Sequence, residues 1–307
     1  MPEARARDPR IASGKDYGNP DPQWLKIDWR RHLRRMKLPG AEVNYVEVGE
    51  GEPVLFLHGI SGCWQNWLET LPHVGHYRRA IALDLPGFGA SPMPTWEPDI
   101  PAYGRLVHDF CEKLGIESGA AIVGNSMGGF VAAEAVTATP GRFDRLALVS
   151  AAGILNTWDP EQRAAITAFA WGLFGPILAS RSREILARRF ARRAVAGWVV
   201  RYPQRLRIEL LWEQMNGGLP CPAFGPALRS LIHHDIRDRL SGIEIPTQIV
   251  WGFDDRIVPV GAALSFHRRI PGSRLEIFER TRHVPQLERP ARFNALLEEF
   301  LGASASR

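Results

Sequence analysis

The sequence has few cysteines and no long apolar segment, and both absences limit the class of protein. Its three cysteines, Cys63, Cys111 and Cys221, show neither metal-site spacing nor a disulfide framework. No uninterrupted apolar stretch reaches transmembrane length. The Arg-rich start of the chain is not followed by the apolar region of a secretory signal. We therefore expect a cytoplasmic protein whose thiols are free and at least partly buried.

Motifs for nucleic acid and for metal are also missing. The net charge of +5 raises the question of a nucleic-acid partner. However, the chain has no basic motif interleaved with aromatic residues, no zinc-finger spacing and no RNA-binding signature. No pattern of metal ligands is present either, and no cofactor is expected. The 307 residues are 45% hydrophobic and 23% charged, which is typical of a globular protein with a sizeable core.

Short apolar runs alternate with helical segments along most of the chain, which predicts a parallel sheet covered by helices. The alternation stops between about Gly153 and Asp235, where an Ala-, Leu- and Arg-rich stretch with helical periodicity indicates an insertion. We predict an N-terminal arm (1–34), an α/β core (35–153 and 236–307) and a helical cap (154–235). The arm is expected to be loosely ordered up to about Asp28, and the basic stretch Trp29–Lys37 to be a solvated face. The predicted strands are Ala41–Val48, Pro53–Leu57, Ala80–Leu83, Ala120–Ile122, Arg145–Ser150, Thr247–Trp251 and Arg274–Phe278.

A serine flanked by glycines stands between a predicted strand and a predicted helix. Gly124 and Gly128 lie two residues before and two residues after Ser126. This is the G-x-S-x-G pattern of a nucleophile elbow, a sharp turn from which the serine hydroxyl projects. Glycine has no Cβ, so strand and helix can approach closely, and the helix N-terminus favours developing negative charge. Because so short a pattern also occurs in ordinary glycine-rich turns, its partners elsewhere in the chain decide its meaning.

Acidic residues and a histidine follow the last two predicted strands. Asp254 and Asp255 come after the strand that ends at Trp251, and His283 comes after the final strand. Functional groups in open α/β sheets gather at the carboxyl ends of strands, so these side chains can converge with Ser126. The chain order Ser, Asp, His is that of α/β-hydrolases.

Four ordered motifs make the chain resemble the α/β-hydrolase-fold serine hydrolases from about Arg35 to Leu301. The motifs are His58-Gly59, Asp84–Ser91, the elbow, and the segments that hold Asp255 and His283. The resemblance implies a mostly parallel eight-stranded sheet flanked by helices, with an inserted helical cap. It also implies that Ser126 is the nucleophile, that His283 is the general base and acid, and that Asp255 orients His283.

The resemblance further implies an oxyanion hole and assigns the remaining candidate residues to lesser roles. The hole would combine the backbone N–H groups of Ile60 and Met127. The family spacing selects Asp255 over Asp254 as the acid of the triad. His58 is expected to support the oxyanion loop rather than to act in catalysis. Asp84 and Ser91 are expected to shape a turn, and His233 and His234 to be ordinary surface or packing residues.

One position departs from the family pattern. The residue before the catalytic histidine is usually glycine in this family, and here it is Arg282. The following segment, Val284–Pro290, still matches, so the assignment of His283 stands. We consider two interpretations of Arg282: a side chain that meets an anionic group of the substrate, or one that points into solvent.

The predicted cap divides into an apolar part and a basic part. Ala164–Ala179 has Thr167 as its only polar side chain, whereas Arg181–Arg207 contains nine arginines and one acidic residue, Glu184. This pattern is compatible with a helix packed on the core followed by a solvated basic helix. A sharper hypothesis is an apolar wall that binds an acyl chain, beside a basic surface that approaches a membrane or another anionic surface.

The elbow serine indicates an acyl-enzyme mechanism and disfavours the dehalogenase and epoxide hydrolase branches, whose nucleophile is an aspartate. We predict hydrolysis of a small-molecule carboxylic ester with an apolar acyl part. One alternative is a C–C hydrolase of aromatic ring-cleavage products, a group that shares the Gly-Asn-Ser-Met-Gly-Gly elbow but usually carries Trp where this chain has Val284. A cofactor-free perhydrolase and a ligand-binding protein on the same fold are further alternatives. The sequence carries no indication of oligomeric state.

Overall fold

An eight-stranded sheet forms the centre of the computed structural model, which describes residues 13–154, 186–218 and 221–302. The strand order is β1-β2-β4-β3-β5-β6-β7-β8. Strand β2 is antiparallel to both of its neighbours, and all other neighbouring strands are parallel. The strands are β1 (Leu33–Leu38), β2 (Ala41–Val48), β3 (Pro53–Leu57), β4 (Arg79–Leu83), β5 (Ala120–Asn125), β6 (Phe143–Val149), β7 (Thr247–Gly252) and β8 (Arg274–Phe278).

Helices cover both faces of the sheet, because successive residues of its central strands point to opposite sides. In β3, Leu55 and Leu57 belong to one apolar cluster, whereas Val54 and Phe56 belong to the other. Parallel strands that are buried on both faces read as continuous apolar runs, as these do. The described helices are α1 (Leu71–Val74), α2 (Ile100–Lys113), α3 (Met127–Ala138), α4 (Arg189–Ala196), α5 (Ile208–Gly217), α6 (Phe224–His233), α7 (Gly261–Arg269), α8 (Pro285–Glu288) and α9 (Pro290–Leu301).

The first strand was not predicted. The basic stretch expected to be a solvated face contains β1, which pairs antiparallel with β2 from Leu33↔Val46 to Leu38↔Ala41. Its Arg34 side chain is exposed, as a solvated face requires. Charged side chains on an edge strand discourage pairing with another molecule, so a basic composition and a strand are compatible here.

The segment before β1 is more ordered than the sequence suggested. The Tyr17 hydroxyl donates a hydrogen bond to Glu288 Oε2 at 2.6 Å. The Trp24 indole is buried and donates to Glu69 Oε1 at 2.9 Å. The expectation of a loosely ordered arm is therefore wrong for these residues, because long-range hydrogen bonds fix a segment that has no periodic pattern of its own. The division into arm, core and cap stays a prediction.

Helices α4, α5 and α6 lie between β6 and β7, within the segment predicted to be a helical insertion. The apolar stretch Ala164–Ala179, which was proposed as a wall for an acyl chain, lies outside the described residues. In the part of the chain that the structure describes, no helix is both long enough and apolar enough to span a membrane.

Candidate active site

Ser126 lies in the sharp turn between β5 and α3, with φ of 55° and ψ of −118°. A non-glycine residue with positive φ is strained, and the cost is of order 1–3 kcal/mol. The flanking glycines permit the turn, since a Cβ at Gly124 would overlap with the carbonyl group of Gly128. A Cβ at Gly128 would in turn overlap with the main chain at the end of β3. The local sequence therefore has the two properties that this elbow requires.

The structure brings Asp255 and His283 together. Asp255 Oδ2 lies 2.8 Å from His283 Nδ1, and both residues are buried. The other carboxylate oxygen, Asp255 Oδ1, accepts hydrogen bonds from the backbone N–H groups of Ile257 (2.9 Å) and Val258 (3.0 Å). These three contacts occupy both oxygens and fix the carboxylate against the imidazole. A carboxylate held in this way keeps the proton of the imidazole on Nδ1.

The neighbouring carboxylate points elsewhere. Asp254 Oδ2 accepts a hydrogen bond from Arg201 Nε at 2.8 Å and is only half-buried. The residue beside His283 is therefore Asp255, as the family spacing predicted.

An apolar cavity of about 270 Å³ opens beside the elbow and is lined by both Ser126 and His283. Its other walls come from the loop after β3, from α4, α5 and α6, and from the loop after β7. None of its described lining residues is Asp, Glu, Lys or Arg, and most are aliphatic. The bulky aliphatic residues are Ile60, Val195, Val199, Val200, Leu206, Leu210, Leu211, Leu228, Leu231, Ile232, Ile257, Val258, Val284 and Leu287.

The two backbone groups expected to form an oxyanion hole flank this site. Met127 is the first residue of α3, so its N–H has no carbonyl partner within the helix. Ile60 belongs to the loop after β3 and lines the cavity. This loop is shaped by Ser61, whose φ is 59°, and by a hydrogen bond from Gly62 N to Gly59 O at 2.9 Å.

His58 supports the same loop from below. The ring is fully buried, its Nε2 accepts a hydrogen bond from Leu85 N at 2.9 Å, and Nδ1 donates to Gly59 O at 2.7 Å. Burial disfavours the charged imidazolium and lowers the pKa of His58 to about 4. The histidine is thus a neutral link between the loop after β3 and the loop after β4, as expected from its place in the motif.

The Asp84–Ser91 motif forms a buried polar network rather than a reactive site. Asp84 accepts hydrogen bonds from Trp64 N (2.7 Å), Ala90 N (2.9 Å) and the Asn44 side chain (2.8 Å). Ser91 Oγ donates to Asp84 O at 2.7 Å. Burial raises the pKa of Asp84 to about 6, although the three donors act in the opposite direction. These contacts hold the loop after β4 in place, as predicted for turn-shaping residues.

The structure reveals positioning contacts that the sequence did not. The Asn125 amide donates to Val149 O at 3.0 Å and to His283 O at 3.1 Å. The backbone N–H of His283 donates to Val199 O at 3.0 Å, a residue of the predicted cap. Glu288 accepts from the backbone N–H of Arg282 at 2.8 Å. Because Asn125 and Val199 lie far from His283 in the chain, no local pattern could have identified their contacts with it.

The two histidines near the end of the insertion differ in their surroundings. His234 stacks on Phe130 and its Nε2 lies 2.8 Å from the buried carboxylate of Glu134, which also pairs with Arg239. His233 is exposed at the end of α6. His234 is thus a packing residue and His233 a surface residue, which agrees with the expectation for the pair.

Among the described residues, no three His, Cys, Asp or Glu side chains are grouped so that they could hold a metal ion. Arg282 is buried but is not among the residues that line the cavity beside Ser126. Because Arg282 is buried, the interpretation that its side chain points into solvent is wrong. The interpretation that it meets an anionic group of the substrate stays a prediction.

Comparison with known proteins agrees with this fold. The family model described as the alpha/beta hydrolase fold matches residues 52–290. A 2-hydroxy-6-oxo-6-phenylhexa-2,4-dienoate hydrolase of Comamonas testosteroni is 32% identical over 272 residues, which cover 84% of this chain and 91% of the relative. A solved variant of the meta-cleavage product hydrolase CumD is 26% identical with a TM-score of 0.72, covering 88% and 98% of the two chains. The structure of Est816, an N-acyl homoserine lactone degrading enzyme, is 26% identical with a TM-score of 0.70, covering 87% and 100%.

Proposed function

Because the chain belongs to the alpha/beta hydrolase family, we propose that it is a serine hydrolase that cleaves a small-molecule carboxylic ester with an apolar acyl part. The observation that carries the proposal is an elbow serine and an Asp-bound histidine on the wall of one apolar cavity. A cytoplasmic location stays a prediction from the sequence.

The proposed reaction begins with attack of Ser126 Oγ on the ester carbonyl. His283 Nδ1 is bound to Asp255, so Nε2 is the nitrogen that takes the serine proton and later gives it to the departing alcohol. Water then attacks the acyl-enzyme with His283 as the base, which releases the acid and restores the serine. The Asp255 carboxylate orients His283 and stabilises the imidazolium that forms in each half of the reaction.

The backbone N–H groups of Ile60 and Met127 are proposed to bind the oxyanion of each tetrahedral intermediate. Loss of one such donor typically lowers kcat by about 10²- to 10³-fold, so two donors contribute several kcal/mol. The position of Met127 at the start of α3 adds the partial positive charge of the helix N-terminus.

The lining of the cavity favours a neutral acyl group over an anionic one. An ionised substrate group loses its hydration on entering the cavity, and the described lining offers no cationic side chain in return. Aliphatic side chains instead gain about 0.8 kcal/mol for each substrate methylene that they remove from water.

A second candidate is hydrolysis of a carbon–carbon bond in a ring-cleavage product. Two similar proteins favour it, because the relative from Comamonas testosteroni is named a 2-hydroxy-6-oxo-6-phenylhexa-2,4-dienoate hydrolase and CumD is named a meta-cleavage product hydrolase. Such a dienoate carries a carboxylate, which this cavity would bind poorly. The chain also has Val284 after the histidine, where that group usually has Trp.

Two measurements test the proposal. A fluorophosphonate probe should label the wild-type protein covalently and should not label Ser126→Ala, whereas Ser265→Ala, at a serine of α7 that does not line the cavity, should label normally. A series of p-nitrophenyl esters of rising chain length should then be hydrolysed with a higher kcat/KM than a 2-hydroxy-6-oxo-dienoate. Absence of labelling would overturn the assignment of a serine hydrolase. Faster cleavage of the dienoate would replace the ester reaction with carbon–carbon bond hydrolysis.

A further inference from the structure

A second cavity, of about 290 Å³, lies on the far side of α4 from the catalytic serine. Seven described residues line it, and four of them are arginines. The lining residues are Arg193, Ala194, Gly197, Trp198, Arg201, Arg256 and Arg282. Arg193 and Arg201 come from the predicted cap, whereas the other two arginines come from core loops. We call this cavity the arginine pocket.

The arginine pocket is separate from the apolar cavity. Val195, Ala196 and Val199 line the apolar cavity, whereas the residues interleaved with them, such as Ala194 and Trp198, line the arginine pocket. The segment that begins with α4 is thus the wall between the two. A small substrate held at Ser126 therefore does not extend into the arginine pocket, and a ligand there needs its own explanation.

Arg282 is a buried cationic residue in the lining of the arginine pocket. The residue is only 6% exposed, and its Nε has no hydrogen-bond partner among the described residues. Burial, together with the nearby charges of Arg256 and Arg201, lowers the pKa of Arg282. A buried donor without an acceptor is costly, and a guanidinium is more costly than a neutral donor. An acceptor with negative charge, bound beside Arg282 Nε, would remove this cost.

The residues that the structure describes neutralise little of this charge. Arg201 is paired with Asp254, and the Arg256 guanidinium lies 5.6 Å from the centre of the Trp198 ring. Glu288 is the other acidic residue nearby, but its oxygens bind backbone N–H groups, including that of Arg282. Burial raises the pKa of Glu288 to about 7, so it is only partly ionised at neutral pH. Among the described residues, Asp254 is thus the one carboxylate that pairs with any of the four guanidinium groups.

We propose that the arginine pocket binds a phosphate group. A phosphate carries up to two negative charges and several acceptor oxygens, and the planar donor fork of arginine matches such an anion in a bidentate way. Arg256 directly follows Asp255, and Arg282 directly precedes His283, so a bound phosphate joins α4 to both loops that hold these residues. The phosphate comes either from a soluble phosphate compound or from a lipid headgroup. The site does not depend on the ester reaction proposed above.

Inorganic phosphate is the first probe, with ionic strength held constant by sodium chloride. Isothermal titration should show saturable binding to the wild-type protein, and phosphate should raise its melting temperature. Arg282→Met should raise the dissociation constant at least about tenfold, because it removes charge-assisted hydrogen bonds. Arg193→Ala, at the exposed rim, should raise it at least about threefold. Arg189→Ala is the matched control, since it removes the same charge one turn away on α4 and should change the constant less than about twofold.

Two results would overturn the proposal. One is no saturable binding up to about 50 mM phosphate. The other is an equal effect of Arg189→Ala and Arg193→Ala, which would reduce the binding to general attraction by a basic surface. If Arg282→Met does not fold, the comparison of the two surface variants still decides the question. All of these readouts are independent of hydrolysis, so failure of the ester proposal leaves them unchanged.

Vesicles distinguish the two sources of phosphate. Phosphatidylcholine vesicles with and without phosphatidic acid are sedimented with the wild-type protein and with both surface variants. Binding that needs phosphatidic acid and is weakened more by Arg193→Ala than by Arg189→Ala assigns the pocket to a lipid headgroup. Phosphate binding without such vesicle binding assigns it to a soluble phosphate compound.

Discussion

Replacement of Asp255 by asparagine tests the proposed mechanism most directly. The Asp255 carboxylate accepts three hydrogen bonds, one from His283 and two from backbone N–H groups. Asparagine has a single acceptor oxygen, so it cannot serve both sets of donors. If that oxygen keeps the backbone donors, the amide NH₂ faces Nδ1 and forces the imidazole proton onto Nε2. Nε2 then cannot take the proton of Ser126.

The size of the expected decrease in kcat follows from the loss of the general base. In a serine protease the equivalent change lowers kcat about 10⁴-fold. We expect Asp255→Asn to lower kcat on p-nitrophenyl butyrate by about 10³- to 10⁴-fold, which is about 4–5.5 kcal/mol of transition-state stabilisation. KM should change little, because the apolar cavity is not altered. Fluorophosphonate labelling should slow by a similar factor, since acylation of the serine is the step affected.

Asp254→Asn is the matched control, because it removes the neighbouring carboxylate, whose partner is Arg201. This variant should keep kcat within about tenfold of wild type, since no proton transfer passes through it. The reasoning would be refuted if Asp255→Asn retained most of the activity while Asp254→Asn lost a thousandfold. Circular dichroism and the melting temperature of both variants show whether each is folded.

Three further predictions concern packing and protonation. Gly128→Ala should lower the free energy of unfolding in urea by at least about 1–3 kcal/mol, because a Cβ at this position overlaps with the main chain. Gly225→Ala is the control and should not lower it, because a Cβ at Gly225 has open space around it. The pKa of His58 is about 4 in the folded state and 6.5 in the unfolded state, so the stability that the neutral ring contributes is present above pH 6.5 and is lost as the pH falls toward 4. The difference in the free energy of unfolding between wild type and His58→Gln should therefore shrink by up to about 3 kcal/mol over that range. A constant difference would contradict this. Leu210→Ala should raise the kcat/KM ratio of octanoate to butyrate esters about tenfold, whereas Leu264→Ala on the exposed surface should leave the ratio unchanged.

Much of the fold could be predicted because its signals are local. Strands buried on both faces are continuous apolar runs, so β3 was predicted at the bounds that the structure has. The terminal helix α9 has equally local signals, since it begins with proline and its C-terminal residue precedes a glycine. β1 was missed because an edge strand exposed on several positions has no apolar alternation to detect.

The candidate site could be predicted only in part. The Ser, Asp and His segments each follow a strand, and parallel strands carry such segments to one edge, so their convergence follows from the topology. The contacts that position His283 could not be predicted, since Asn125 and Val199 lie far from it in the chain. The burial of the Arg282 side chain could not be predicted either, because its surroundings are formed by α4 and by the loop after β7.

The sequence alone determined the family, the elbow and the order of the reactive residues, because these depend on residue types at short, fixed spacings. Tertiary structure alone decided which cavity each residue of the predicted cap lines. Val195 and Arg193 are two positions apart on α4, yet one lines the cavity beside Ser126 and the other lines the arginine pocket. On a helix of 3.6 residues per turn, such neighbours point in different directions. What lies in each direction is determined by the packing of distant segments, which no local pattern records.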